Sequence, residues 1–343
     1  MNLIFSLIIG SIGGLLFFYL SMPLPWILGP LALSSILSAF NQKITIPEIM
    51  YKISIAVIGV SLGSNFSPEI FLQMKTWFLS IFILLTFITL LTLIITSFLK
   101  KNGYDFATSF FSALPAGLTE STSIGLANGG KGEVIALCHT IRVVMIAFTI
   151  PFTITYLTNF DGDRILFEEQ KNYGLYEYII LFLSGIIGLW LGKVLKIPAG
   201  SFVVPFFISA IIHISSISLA TPPNYFLIAA QIILGTKIGT RFKGIKFPKT
   251  KETILLSIII TSGSILFCFL AAFIFGKLFK IDPILLLLAI TPGGVTEMSL
   301  IALSLGQDVS FVTTHHIIRI STLLLIAPFI YAFLKRSTSK NQE

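Results

Sequence analysis

Apolar residues run along this chain in stretches long enough to cross a lipid bilayer, with short polar breaks between them. Runs at 3–21, 24–40, 46–65, 76–99 and 133–158 predict five helices in the first half. Runs at 175–194, 198–219, 224–240, 252–279 and 310–335 predict five more in the second. Each half also holds a shorter segment, 105–130 and 282–307, broken by Pro115-Ala116-Gly117 in one and Pro292-Gly293-Gly294 in the other. Proline ends a helical hydrogen-bond ladder and glycine permits a turn. Non-helical backbone is tolerated at membrane depth only where protein or a polar cavity surrounds it. Each broken segment is therefore either a re-entrant hairpin or a crossing helix with an unwound middle. The expected fold is an all-α polytopic membrane protein. It would comprise two inverted repeats of about five transmembrane helices, each with a re-entrant or broken helix. In residues this reads as a first repeat over 1–158, a linker over 159–174, a second repeat over 175–337 and a polar tail over 338–343.

The two broken segments are one pattern written twice. With a fixed offset of 177 residues and no gap, Asp105 falls on Asp282, Pro115 on Pro292, Gly117 on Gly294 and Thr119-Glu120 on Thr296-Glu297. Thr122 falls on Ser299, His139 on His316, Arg142 on Arg319 and Pro151 on Pro328. A weaker echo matches Gly59 and Gly63 with Gly235 and Gly239. Polar and ionisable groups kept twice at one spacing inside hydrocarbon-like sequence mark a working site.

Composition supports the membrane reading. The chain is 55% hydrophobic and 11% charged, with a mean hydropathy of +0.94. So few charges could not cover a soluble protein of this size. The first run, Leu3 to Leu20, has neither basic residues ahead of it nor a small-residue cleavage site after it, and reads as a retained helix. The net charge of +8 is concentrated in the loop from Lys237 to Lys251, beside transmembrane runs. That pattern fits cytoplasmic retention, and no recognition helix or zinc pattern suggests nucleic acid. Placing this loop inside also places Lys100-Lys101, Lys193, Lys196 and Lys335-Arg336 inside. The 64–75 segment with Glu69 and the linker with Asp161, Asp163, Glu168 and Glu169 then lie outside. Both termini are cytoplasmic if the broken segments return to the side they entered. Cys138 and Cys268 sit in apolar runs and read as core or lipid-facing thiols, and no metal-ligand set is visible.

Asp105 and Asp282, at the starts of the broken segments, read as helix N-caps. Pro115, Gly117, Pro292 and Gly294 sit where the backbone must open. Exposed helix ends there attract ions, whereas a lone Pro-Gly would mean only a kink. Glu120 and Glu297 follow the breaks, and an ionised carboxylate at that depth needs a partner. Arg142 and Arg319 are the expected partners, with His139 and His316 on the same helical faces. This set is either a structural salt bridge or a site where Glu and His exchange protons while Arg holds an anionic group. Thr119 and Thr296 could offer hydroxyls to an ion or substrate. His315 has no aligned partner, since Cys138 takes its place, and reads as incidental.

The doubled P-[AG]-G-[LV]-T-E … H-x-x-R block, the PWILGP segment at Pro25–Pro30 and the ten-to-twelve-span layout resemble the AbrB family of bacterial membrane proteins. These are distinct from the soluble AbrB-type DNA-binding proteins. The family's layout is similar to the cation/proton antiporter and anion transporter superfamily, which implies inverted repeats and alternating access. Family labels include a regulator of gene expression and an ammonia monooxygenase; no copper or iron ligand set supports the latter. The expected function is a secondary transporter of a small solute or ion in the bacterial inner membrane, proton- or cation-coupled. The alternative is a membrane regulator of gene expression. An enzyme is not expected, nor a cofactor or bound metal. The expected partners are a small-molecule or ion substrate and the lipid bilayer, with a homodimer open and nucleic acid excluded.

Overall fold

The computed structural model describes residues 2–158, 173–243 and 247–340, with side chains described except at 2, 247–250 and 335–340. The linker expected outside, with Asp161, Asp163, Glu168 and Glu169, lies outside the described residues, as does Glu343. In the first half come α1 (Asn2–Tyr19), α2 (Pro25–Ala39), α3 (Glu48–Gly63), the single-turn α4 (Ile70–Met74) and α5 (Phe78–Lys101). These lead to α6 (Phe106–Ala113), α7 (Leu118–Ala127) and α8 (Gly132–Thr158). The second half has α9 (Leu175–Val194), α10 (Gly200–Ile214), α11 (Asn224–Gly239), α12 (Phe247–Phe279), α13 (Pro283–Ile290), α14 (Val295–Ser304) and α15 (Val309–Lys340). No strand occurs among the described residues.

Every predicted apolar run is a helix, and α6, α7 and the start of α8 recur 177 residues later as α13, α14 and the start of α15. Among the described residues five helices are long and apolar enough to cross a bilayer: α5, α8, α9, α12 and α15. α2, α3, α10 and α11 have only 15 or 16 residues. At 1.5 Å per residue they reach about 22–24 Å, short of a hydrocarbon layer of about 30 Å. Large apolar side chains stand on the outside of the long helices, among them Phe82, Phe182, Trp190, Leu270 and Phe329. Such a surface suits lipid and not water. The fold is an all-α polytopic membrane fold.

Contacts gather the chain into two compact units, each drawing on both halves of the sequence. The first comprises Met1–Lys75, Ala147–Lys246 and Thr296–Ser310. The second comprises Thr76–Ile146, Phe247–Val295 and Phe311–Glu343. The repeats are a division of sequence; these units are a division of space.

Packing in the first unit is reciprocal between the halves. α1 packs on α2 as α9 packs on α10, α11 packs on α2 as α3 packs on α10, and α3 meets α11. Glycine permits the close approaches. A Cβ on Gly59 would come within 2.7 Å of the Phe202 carbonyl oxygen, and one on Gly63 within 2.5 Å of that of Phe206. In the exchanged pair, Cβ atoms on Gly235 and Gly239 would run into the Ile27 carbonyl and the Ser34 hydroxyl. Small residues four apart let helix backbones meet where hydrophobic driving force is weak. Lys237, at the end of α11, donates to the Ile46 carbonyl at 3.1 Å and pairs with Glu48 at 3.3 Å, in the first turn of α3. The matched helices α3 and α11 therefore run in opposite directions.

In the second unit α5 packs on α6, α6 on α7, α12 on α13 and α13 on α5. Phe106, Phe110 and Phe111 gather on the Tyr331 ring, with centroids 5.2, 5.7 and 5.2 Å away.

Gly59→Ala and Gly63→Ala are expected to destabilise the protein by about 1–3 kcal/mol each, because a backbone must move. Gly263, whose missing Cβ would meet nothing within 4 Å, is the control. Its alanine variant should be neutral or stabilising by up to about 1 kcal/mol. Thermal unfolding in detergent measures all three.

Candidate functional site

The first broken segment is a hairpin within the second unit. Asp105 caps α6, its Oδ1 accepting from the Thr108 amide at 2.7 Å and its Oδ2 from the Thr108 hydroxyl at 2.6 Å. The Thr108 hydroxyl in turn accepts from the Lys131 amide at 2.7 Å. Lys131 follows α7, so the chain leaving α7 returns to the first turn of α6. The two arms, of 8 and 10 residues, reach about 12 and 15 Å. Each spans about half a hydrocarbon layer. Gly129, with φ of 83°, and Gly130, set against Thr108, make the return. In the second half Asp282 caps α13 through the Ile284 amide at 2.8 Å.

At the break, the sequence reading is corrected in two respects. Gly117 has φ of −62°, which any residue adopts, so it is not needed for a left-handed turn. It is small because the Glu120 carboxylate leans back over it, and a Cβ there would collide with that carboxylate. Glu120 is the third residue of α7, where an acidic side chain meets free amides and the positive end of the helix dipole.

The second correction concerns the arginines. Arg142 was expected to pair with Glu120, but its hydrogen bonds go to main chain and to His139. It donates to the Ala113 carbonyl at 3.3 Å and the Leu114 carbonyl at 3.2 Å. Arg319, expected to pair with Glu297, donates to the Thr291 carbonyl at 2.8 Å and the Gly293 carbonyl at 2.6 Å. These carbonyls end α6 and α13. A helix C-terminus leaves its last carbonyls open and carries partial negative charge, so a guanidinium satisfies both demands. His139 and His316 act on the preceding turn: their Nε2 atoms lie 2.9 Å from the Phe111 and Leu288 carbonyls. A ring nitrogen facing a carbonyl must carry the proton. In His139 the other nitrogen, Nδ1, then accepts from Arg142 at 2.9 Å. Neutral imidazole with the proton on Nε2 is the only form that fits both bonds. Of the two alternatives the sequence left open for the histidines, these bonds favour a structural, capping role.

The remaining candidates fall as follows. Pro115 and Pro292 are buried, while Thr119 is exposed and Glu120 half-buried. Pro292 and Gly294 belong to the second unit; Thr296 and Glu297 belong to the first. The Thr296 hydroxyl donates to Glu297 Oε2 at 2.8 Å. Among the described residues Glu120 makes no ion pair.

Two partners were missed. Tyr51 in α3 hydrogen-bonds Arg241 and has the Glu297 and Glu48 carboxylates as charged neighbours; an isolated tyrosine in an apolar run gave no signal. His315, read as incidental, lies with Nε2 2.9 Å from the Ser80 hydroxyl and Nδ1 2.7 Å from the Phe311 carbonyl. No group of three His, Cys, Asp or Glu side chains among the described residues is placed to hold a metal ion.

Arg142→Ala strands two carbonyls in a buried setting and is expected to cost about 3 kcal/mol or more. Glu120→Gln, which breaks no ion pair, should stay within about 0.5 kcal/mol of the parent. Unfolding in detergent compares them. Equal losses in both would restore the carboxylate as the arginine's counter-ion.

Comparison with known proteins agrees with this architecture. A family model described as "Transition state regulatory protein AbrB" matches residues 26–335. The chain is 24% identical over 297 residues to "Uncharacterized protein YhjN" of Bacillus subtilis (strain 168), covering 81% of this chain and 77% of that one. It is 21% identical over 334 residues to "Putative regulator AbrB" of Escherichia coli (strain K12), covering 94% of each. A match over nearly the whole of a helical, lipid-adapted chain places it: this protein belongs to the AbrB family, in its membrane-embedded form.

Proposed function

We propose that the protein is a secondary transporter of the bacterial cytoplasmic membrane, moving a small solute or ion by alternating access between two inverted repeats. The observation that carries this reading is Glu120. It is a half-buried carboxylate at a helix break, and the cation expected to neutralise it is committed to backbone carbonyls instead. Glu297 holds the matching place in the second half. A carboxylate poised this way can take a proton or a cation and release it, which is the chemistry a coupled carrier needs. The hairpin form of α6–α7 and the opposed directions of α3 and α11 support inverted topology. So does the distribution of Lys and Arg, which favours a cytoplasmic side for both termini and the 101 and 243 loops.

A second reading, a membrane sensor acting on gene expression, draws on the printed name of the Escherichia coli relative. It requires a cytoplasmic output surface, and the largest loop assigned to that side is 237–251. Flux separates the two: a sensor binds without transporting.

The test is reconstitution into vesicles containing a pH-sensitive dye, challenged with gradients of small carboxylic acids, amines and alkali cations. At least one gradient is expected to drive proton or solute flux. Glu120→Gln and Glu297→Gln should abolish that flux or its pH dependence while melting normally. His139→Gln should keep the parental pH profile. Flux and pH dependence unchanged in both glutamate variants would sink the carboxylate mechanism.

Topology is checked independently by labelling cysteines placed at Lys101 and Lys243, in a background lacking Cys138 and Cys268. Both should react from the cytoplasmic side. Opposite faces would remove the inverted arrangement.

A further inference from the structure

A small polar cavity in the second unit has no part in the proposed transport site. Its volume is about 10 Å³, and its polar walls are Ser112, Cys138, Arg142, Ser257 and Thr261. That is room for a single water-sized sphere. Arg142 is 7% exposed, yet its Nε–H has no hydrogen-bond partner, a state it shares with Arg319; the Ser112 hydroxyl stands beside the Cys138 thiol. The Ser257 hydroxyl donates to the Thr253 carbonyl at 2.6 Å and lies 3.2 Å from the Cys138 sulfur. Among the described residues no carboxylate lines the cavity.

The second half shows what this place looks like when filled. The offset of 177 carries Cys138 onto His315 and Ser80 onto Ser257. Ser80 meets His315 at 2.9 Å, as Ser257 meets Cys138. The imidazole is also packed against Phe311, with centroids 4.0 Å apart, and against Trp77 at 6.0 Å. A thiol is smaller than an imidazole and leaves space where the ring would be.

The two arginines differ to match. Arg319 holds its carbonyls at 2.8 and 2.6 Å, whereas Arg142 stands off at 3.3 and 3.2 Å. Arg142 also donates to His139 Nδ1 at 2.9 Å, and it is the arginine that lines the cavity. A guanidinium stays charged at any biological pH. A buried charge without an opposite charge is costly. Water could accept from Nε–H, but only an anion also offsets the charge.

We propose that this cavity binds one halide-sized anion, chloride under cellular conditions, held by the Arg142 Nε–H and the neighbouring hydroxyls. The site belongs to the first half alone and does not depend on the transport reading.

The experiment is thermal unfolding of the full-length protein in detergent, titrated with sodium chloride against sodium gluconate at constant ionic strength. Gluconate is too large for the cavity. Chloride is expected to raise Tm saturably, by on the order of a few degrees for each tenfold increase above Kd, and bromide should do the same. A bromide-soaked crystal should show an anomalous peak beside Arg142 Nε. Cys138→His, which copies the filled second half, should remove the chloride response. Thr261→Val should weaken apparent chloride affinity on the order of tenfold or more. Identical melting of the parent protein in chloride and gluconate would show a cavity holding only water and overturn the proposal. A full chloride response in Cys138→His would overturn it as well. Both decisive readings avoid Arg142 variants, whose folding is at risk.

Discussion

Everything in this structure answers to one constraint: a main chain cannot be opened inside a membrane without partners for its polar groups. Two helices stop short, at Ala113 and Ile290, and their last carbonyls would face hydrocarbon. The protein answers with cationic and imidazole side chains from the helix that follows. Arg142 and His139 serve the first stop, Arg319 and His316 the second. Each charge is placed where helix dipoles supply the opposite partial charge. The carboxylates at Glu120 and Glu297 need not neutralise the arginines, which is the separation the proposed carrier mechanism requires.

The sequence made the elements plain and the site's wiring opaque. Ten apolar runs became helices, and the broken segments began and ended at matching positions because Pro-Gly punctuation and Asp caps act locally. Arg142 was misassigned for a physical reason. A carboxylate is a partner visible in sequence, while a backbone carbonyl is carried by every residue and is invisible as a motif. Gly117 was misread in a related way: its spacing suggested a turn, but the Glu120 carboxylate sets its size. Helix lengths near 15 residues in α2, α3, α10 and α11 were also hidden, since apolar residues continue into the extended segments beyond each end.

The echo of Gly59-Gly63 in Gly235-Gly239 proved as informative as the louder motif. These glycines seat α3 on α10 and α11 on α2. The first unit is thereby knitted by exchange between halves, so neither half could bury its small-residue faces without the other.

The main chain also keeps a record that the side chains have lost. Left-handed conformations at Ser21, Leu24 and Asn41 recur at Lys196, Ala199 and Ser216, each 175 residues on. No pair shares a residue type and none is glycine, although each such conformation costs on the order of 1 kcal/mol or more. Sequence similarity across these stretches is faint, yet the two halves turn at matching places. Ser21, Asn41, Lys196 and Ser216 each end a helix in the left-handed region, with the next amide reaching back to a carbonyl of the last turn. What the halves share there is the geometry of stopping a helix, which different side chains serve equally well.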